Sequence, residues 1–227
     1  MNELVAVPYF GPDDRYRPML DAWIASAAAH APDIRIKVLL DRPRDVLVDS
    51  LVCDPAPFMD LTRPGQAFDV KGAIMCAAAL AIDEPFLMLD ADALLVADPA
   101  AVFARFIDQP IAMPLDLGAI IFARPPRLAA PYDQVRKLCA GVTMFGDVTK
   151  RAELVAAYRV AWRELAPILP GFQGWPHLLE QYAWSLVAHR CGGATFPSLM
   201  NWPPHFLGPL PEAIVTHFFA QNLWKKG

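Results

Sequence analysis

Residues 86–99 read FLMLDADALLVADP: four apolar residues, two aspartates separated by one alanine, a second apolar run and an Asp-Pro. FLML is a continuous apolar run of the kind found in parallel strands covered on both faces. Residues two apart in a strand share a face, so Asp90 and Asp92 are expected to project together where FLML ends, with the small Ala91 between them. In open α/β sheets the ligand crevice lies beyond the carboxyl ends of the strands. Two carboxylates converging there repel each other unless a cation sits between them, and a hard divalent ion is the usual solution. One aspartate capping the next turn and the other facing water would write the same letters, so the pair alone leaves both readings open.

The flanking sequence supplies the frame. AFDVKGAIMCAAALAI (67–82) is alanine-rich and apolar nearly all round, a helix packed on a sheet. Leu4–Val7 is a first strand stopped by Pro8. Pro18–His30 is a helix with Leu20, Trp23, Ile24 and Ala27 on one face and a proline near its first turn. Ile34–Leu40 is a second strand and Asp45–Cys53 a third. After Pro99 a short helix runs to Phe106, followed by strands at IAMPL (111–115) and Val142–Phe145. Arg151–Leu165 and His177–His189 read as helices and Ala213–Phe218 as a last strand, while 167–176 and 197–211 are irregular and rich in Gly, Pro and aromatics. The alternation predicts an α/β fold with a mostly parallel central sheet flanked by helices.

The 227 residues suffice for a real core in one domain. A composition 55% hydrophobic and 19% charged belongs to a globular chain and not a disordered one. The net charge of -4 argues against a general nucleic-acid binder, so an anionic ligand would need a local device such as a metal ion. Cys53, Cys76, Cys139 and Cys191 form no CxxC pair; Cys76 and Cys139 lie in apolar surroundings and are expected to be buried thiols. No apolar run reaches the ~20 residues that span a bilayer. MNELVAVPYF lacks the basic and apolar regions of a signal peptide, and the expected location is the cytoplasm.

The block VKGAIMCAAALAIDEPFLMLDADALLVADP resembles the central segment of GT-A-fold glycosyltransferases, in particular the glycogenin and lipopolysaccharide galactosyltransferase group, family 8. Lys71, Asp90, Asp92, Asp98 and Pro99 fall in that family's order. AMPLDLG (112–118) resembles its A-x-P-D-x-G with one extra residue before Asp116, and LCAGVTMF (138–145) resembles its F-N-A/S-G-V-x-x-F through Ala140, Gly141, Val142 and Phe145. HLLEQYAWSL (177–186) resembles its D-Q-x-x-L-N through Glu180 and Gln181, and the closing EAIVTHFFAQNLWKKG places His217 and Phe218 in register. Five ordered blocks are far more specific than one D-x-D.

The resemblance implies a GT-A domain over 1–227, with a nucleotide-binding half (1–100) and a sugar and acceptor half (101–227). It implies a metal-dependent, retaining sugar transfer from a nucleotide-sugar donor, usually UDP-linked, to an acceptor the sequence does not identify. Asp90, Asp92 and His217 would hold Mn²⁺ or Mg²⁺, a set of two oxygens and an imidazole that suits Mn²⁺. Lys71 would add a point charge for the diphosphate. Asp116, Glu180 and Gln181 would line the sugar pocket, the last two as catalytic candidates beside the aspartates. Ala140 and Gly141 would let the backbone approach the sugar. Ala91 lies within the donor-binding motif, and Tyr9 or Tyr16 would stack on the base with Asp14 in contact.

Departures from the family pattern bear on activity. Cys139 stands at the family's asparagine and Glu180 at its aspartate. Leu223 occupies the place of the closing lysine, so Lys225, after Trp224, is assigned to the donor in its stead. A catalytically degenerate nucleotide-sugar binder is therefore one alternative. A haloacid-dehalogenase-type phosphatase would put its D-x-D in the first strand, and a nucleotidyltransferase would want a glycine cluster after that strand; both fit less well. GFQGWPH and NWPPHFLGPL would shape the acceptor side or a lid, or cover the sheet edge.

Overall fold

The structure, a computed structural model, describes residues 4–10, 16–62, 67–116, 131–168, 178–207 and 209–218. Its strands are β1 (Leu4–Tyr9), β2 (Arg35–Leu40), β3 (Ser50–Val52), β4 (Phe86–Leu89), β5 (Ala93–Leu95), β6 (Ala112–Pro114), β7 (Val142–Phe145), β8 (Ala194–Phe196) and β9 (Val215–His217). The helices are α1 (Arg17–His30), α2 (Ala67–Ala81), α3 (Ala100–Phe106), α4 (Arg151–Leu165), α5 (Leu178–Arg190) and the single turn α6 (Pro204–Leu207). Seven strands form one sheet in the order β3-β2-β1-β4-β7-β6-β8, and β5 pairs with β9 in a small second sheet. Only β7 runs against its neighbours in the main sheet, so that sheet is mostly parallel.

The apolar runs of the central strands follow from burial on both faces. Along β1, Leu4 and Ala6 belong to one core, while Val5, Val7 and Tyr9 belong to the other. Along β4, Phe86 and Met88 go one way and Leu87 and Leu89 the other. α1 covers the second face through Leu20, Trp23 and Ala27. α2, α4 and α5 cover the first, where Phe86 stacks on Phe145 (centroids 4.9 Å apart) and Tyr158 on Trp184 (4.4 Å). α2 packs against both the sheet and the helices beyond it, which is why a helix apolar all round is stable there.

Several details differ from the sequence reading. β1 continues through Pro8 to Tyr9: its pairing with β2 runs on across Pro8 and Tyr9, while β4 pairs only with Leu4–Ala6, so the proline meets a neighbouring strand on one side alone. The third strand shrinks to Ser50–Val52. The three-residue strands β5 and β8 were not anticipated, and the segment read as irregular over 197–211 contains a 3₁₀ turn at Ser198–Met200 and α6. α5 ends where Gly192 takes a positive φ of 68°, which brings Gly193 N–H onto the Ala188 carbonyl (2.7 Å). All four cysteines are free thiols, with Cys53, Cys76 and Cys139 buried. Among the described residues no helix is long and apolar enough to cross a membrane.

Arg151 ties the layers together behind the site. Its buried guanidinium donates to the carbonyls of Glu84 (2.9 Å) and Phe145 (2.8 Å), and more weakly to those of Ala79 and Ile82 (both 3.4 Å) at the end of α2. It also lies 4.9 Å from the Phe86 ring centroid. A cation at a helix C-terminus satisfies orphan carbonyls and complements the dipole. Burial pushes its pKa down to about 10, and the nearby Asp147 partly opposes this. Arg151→Met keeps the volume but strands those carbonyls, so a loss of about 2–4 kcal/mol is expected, measured by urea unfolding.

Candidate metal centre

The first aspartate is placed by backbone hydrogen bonds. β4 stops at Leu89, and Asp90 N–H donates to the Gly141 carbonyl (2.7 Å). Ala93 N–H then donates back to the Asp90 carbonyl (2.8 Å), closing a turn over Ala91 and Asp92. The two aspartates therefore converge through a turn and not, as strand alternation would have it, along one face of an extended strand. The reversal feeds straight into β5.

β5 brings in the third member. Its antiparallel pairing with β9 sets Ala93 opposite His217, and Phe218 N–H donates to the Asp92 carbonyl (2.9 Å). One ligand atom from each of Asp90, Asp92 and His217 then lies within 4.8 Å of the others. His217 Nε2 stands 3.3 Å from Asp92 Oδ1, and both residues are buried. Gly141 forms the wall: a Cβ there would lie 2.6 Å from His217 Cε1 and 2.7 Å from Asp90 Oδ2. The glycine that sequence reading assigned to the sugar is required by the cluster itself.

Charge explains how such a cluster is tolerated. Lys71, on α2, donates from Nζ to Asp90 Oδ2 (2.8 Å), the lysine buried and the carboxylate partly exposed. Burial works against its ammonium, but Asp90 and then Glu180 outweigh that and hold it above its ordinary pKa. Burial likewise works against a protonated His217, while Cys139 and Asp92 favour it; the balance raises its pKa well above the usual histidine value. Two carboxylates and an imidazole, offset only by protons and one lysine, are a donor set that fits a divalent ion.

A second polar group adjoins the first. Asp116 Oδ2 accepts from Gln181 Nε2 (2.5 Å) and pairs with Lys137 Nζ (3.0 Å). Ala140 is buried beside Gly141 on the approach to β7. Glu180, next to Gln181 on α5, is buried on the Lys71 side, and its Oε1 has no hydrogen-bond partner among the described residues. Gly72 packs between Tyr158 and Glu180, since a Cβ on it would collide with the Tyr158 hydroxyl and fall 3.2 Å from Glu180 Cγ. Burial raises the Glu180 pKa to about 7, with Lys71 opposing and Asp90 and Asp69 adding to it.

The structure thus brings together Asp90, Ala91, Asp92, His217, Lys71, Gly141 and Glu180, and sets Asp116 with Gln181. Tyr9 ends β1 at the same edge of the sheet as Asp90, but it is 2% exposed and carries the Arg44 guanidinium 5.1 Å from its ring centroid. Tyr16 precedes α1 and is 44% exposed. Asp14 and Lys225 lie outside the described residues. Asp98 accepts from the backbone N–H of Ala100 (2.9 Å) at the start of α3. Sequence reading missed Asn201 and Lys137: Asn201 Oδ1 lies 2.8 Å from His217 Nδ1.

Two outcomes are expected. Gly141→Ala must push Asp90 and His217 apart, so Mn²⁺ affinity should fall by about tenfold or more with the circular dichroism spectrum unchanged, read by electron paramagnetic resonance of free Mn²⁺. For Glu180, the folded pKa of about 7 lies above the ordinary 4.5, so the folded chain keeps a proton that the unfolded chain has lost. Metal-free stability should therefore fall as pH rises between those values. Glu180→Gln should flatten that slope and be the more stable above the window, by up to roughly 3 kcal/mol in urea melts.

No family model matches the chain, and no curated protein matches it by sequence. Solved structures do. The galactosyltransferase LgtC, solved with donor and acceptor sugar analogues, superposes with a TM-score of 0.68 at 15% identity, covering 96% of this chain and 87% of that one. The bifunctional glycosyltransferase WbbM gives 0.65 at 15%, covering 97% of this chain and 46% of its own. The apo glycosyltransferase GlyE of Streptococcus pneumoniae gives 0.59 at 14%, covering 97% and 55%. The chain thus spans about half the length of WbbM and GlyE. At these identities the likeness is one of architecture, and the chain has the GT-A fold of these glycosyltransferases.

Proposed function

We propose that this chain is a metal-dependent glycosyltransferase that moves a sugar from a UDP-linked donor to an acceptor hydroxyl with retention at the anomeric carbon. One observation carries the reading: Asp90, Asp92 and His217 converge at the carboxyl end of β4. That is where a sheet of this kind offers its ligand crevice. The five ordered sequence blocks and the fold support it. The first hundred residues would serve the nucleotide and the remainder the sugar and acceptor. With all four cysteines free thiols, the cytoplasm is the compartment we assign.

Asp90, Asp92 and His217 would hold Mn²⁺ or Mg²⁺, which when bound neutralises charge on the departing nucleoside diphosphate. Lys71, fixed beside Asp90, contributes a further positive charge for the same phosphates. Asp116 would accept from donor hydroxyls, held in orientation by Gln181 and Lys137. Asp90 would keep Lys71 charged and in place, and Glu180, desolvated on the same side, would add to this once its own proton is lost. Gly141 leaves space where a bulkier residue would block the centre, and the small Ala140 beside it would let the backbone approach the sugar.

A second reading, a nucleotide-sugar binder without turnover, is favoured by Cys139. Its Sγ is buried 3.5 Å from His217 Nδ1, where the resembled family carries an asparagine that contacts the donor. Calorimetric titration of UDP in the presence of Mn²⁺ should show binding that disappears without metal and in Asp92→Ala. Release of UDP from a panel of UDP-sugars separates the two readings: slow hydrolysis supports a transferase, and binding without release supports the binder. No metal-dependent UDP binding would exclude the UDP-linked donor, and GDP- and CMP-linked sugars would then be titrated in the same way.

A further inference from the structure

Asn201 has no exposed surface and lies in a segment that runs alongside β9. Three backbone bonds fix that segment: Ile214 N–H to the Leu199 carbonyl (3.0 Å), Trp202 N–H to Val215 (3.1 Å) and His217 N–H to Trp202 (2.9 Å). The side chain is anchored independently, because Asn201 Nδ2 donates to the Leu115 carbonyl (2.9 Å). A carbonyl can only accept, so the amide nitrogen must face Leu115 and the amide oxygen must face His217. That oxygen lies 2.8 Å from His217 Nδ1. An acceptor at that distance requires the proton on Nδ1. The Cys139 sulfur, at 3.5 Å from the same nitrogen, is a weaker partner and does not change the orientation.

We infer that Asn201 is a positioning residue of the metal centre, one that takes its orientation from the Leu115 carbonyl and holds His217 with its proton on Nδ1 and its Nε2 turned toward Asp92. The inference rests on the metal-binding reading proposed above. An imidazole can give only one nitrogen to a cation, and its other N–H normally needs a partner that fixes ring and tautomer. Leu115 precedes Asp116, so the same carboxamide joins the imidazole to the strand end that carries the second polar group.

The test uses the full chain and Mn²⁺ alone, with free Mn²⁺ followed by electron paramagnetic resonance. Asn201→Leu, close in volume and unable to accept, should weaken binding about 10–100-fold. Asn201→Asp keeps an oxygen facing Nδ1 and should stay within about tenfold of wild type. Thermal melts report whether each variant folds. Should the leucine variant not fold, ¹⁵N-histidine spectra of the Mg²⁺-loaded wild type decide: a protonated Nδ1 supports the inference, and a proton on Nε2 overturns it. A folded Asn201→Leu that binds Mn²⁺ within about twofold of wild type also overturns it. That result differs from failure of the metal reading, in which wild type and Asp92→Ala would both leave Mn²⁺ free.

Discussion

Negative charge held away from water at the end of β4 is the constraint around which the rest of this molecule is arranged. Asp90 and Asp92 would repel each other and resist desolvation, a penalty of several kcal/mol per buried ion. Backbone hydrogen bonds to Gly141, Ala93 and Phe218 nevertheless fix both residues. Lys71 supplies opposing charge to Asp90, and His217, whose pKa is held above the usual histidine value, stands beside Asp92. The second sheet, β5 with β9, gives Ala93, Leu95 and Val215 to the core that α1 covers and presents the imidazole opposite the turn. Residues that would be unremarkable alone, a glycine before β7 and an asparagine beside β9, acquire a definite task once that charge must be held in place.

Sequence made much of this readable, and physical reasons separate what was from what was not. FLML gave a buried parallel strand because burial on both faces removes alternation, and Ala67–Ala81 gave a helix because its composition tolerates contact all round. The aspartate pair and His217 were legible through ordered motifs, although strand geometry suggested the wrong route to their convergence. β5 and β8, three residues each, were not read as strands, whereas the equally short β6 and β9 lay inside longer apolar runs that were. Asn201 was hidden because its value lies in two contacts, to Leu115 and His217, made across the fold. Lys137 was invisible for the same reason: a lysine in a polar stretch is ordinary until Asp116 is found beside it.

Glu180 shows a different limit. Its position beside Gln181 was readable, but its environment was not. It adjoins the aromatic core at Gly72, whose missing side chain leaves room for the Tyr158 hydroxyl on one hand and the Glu180 methylene chain on the other. The carboxyl thus belongs to the interior packing and to the electrostatics of Lys71 at once, and a change in either is felt by the other.

The pairing of β5 with β9 also has a consequence in time. During synthesis Asp90, Asp92 and Lys71 emerge while most of the second half of the chain, His217 included, has yet to be made. The parallel strands β1 to β4 can assemble first, and closing so long a stretch adds a cost that grows only slowly with its length. The centre is therefore the last part to mature. A nascent or shortened chain that stops before β9 would carry the scaffold with two carboxylates facing a single lysine, and arrival of the histidine completes it.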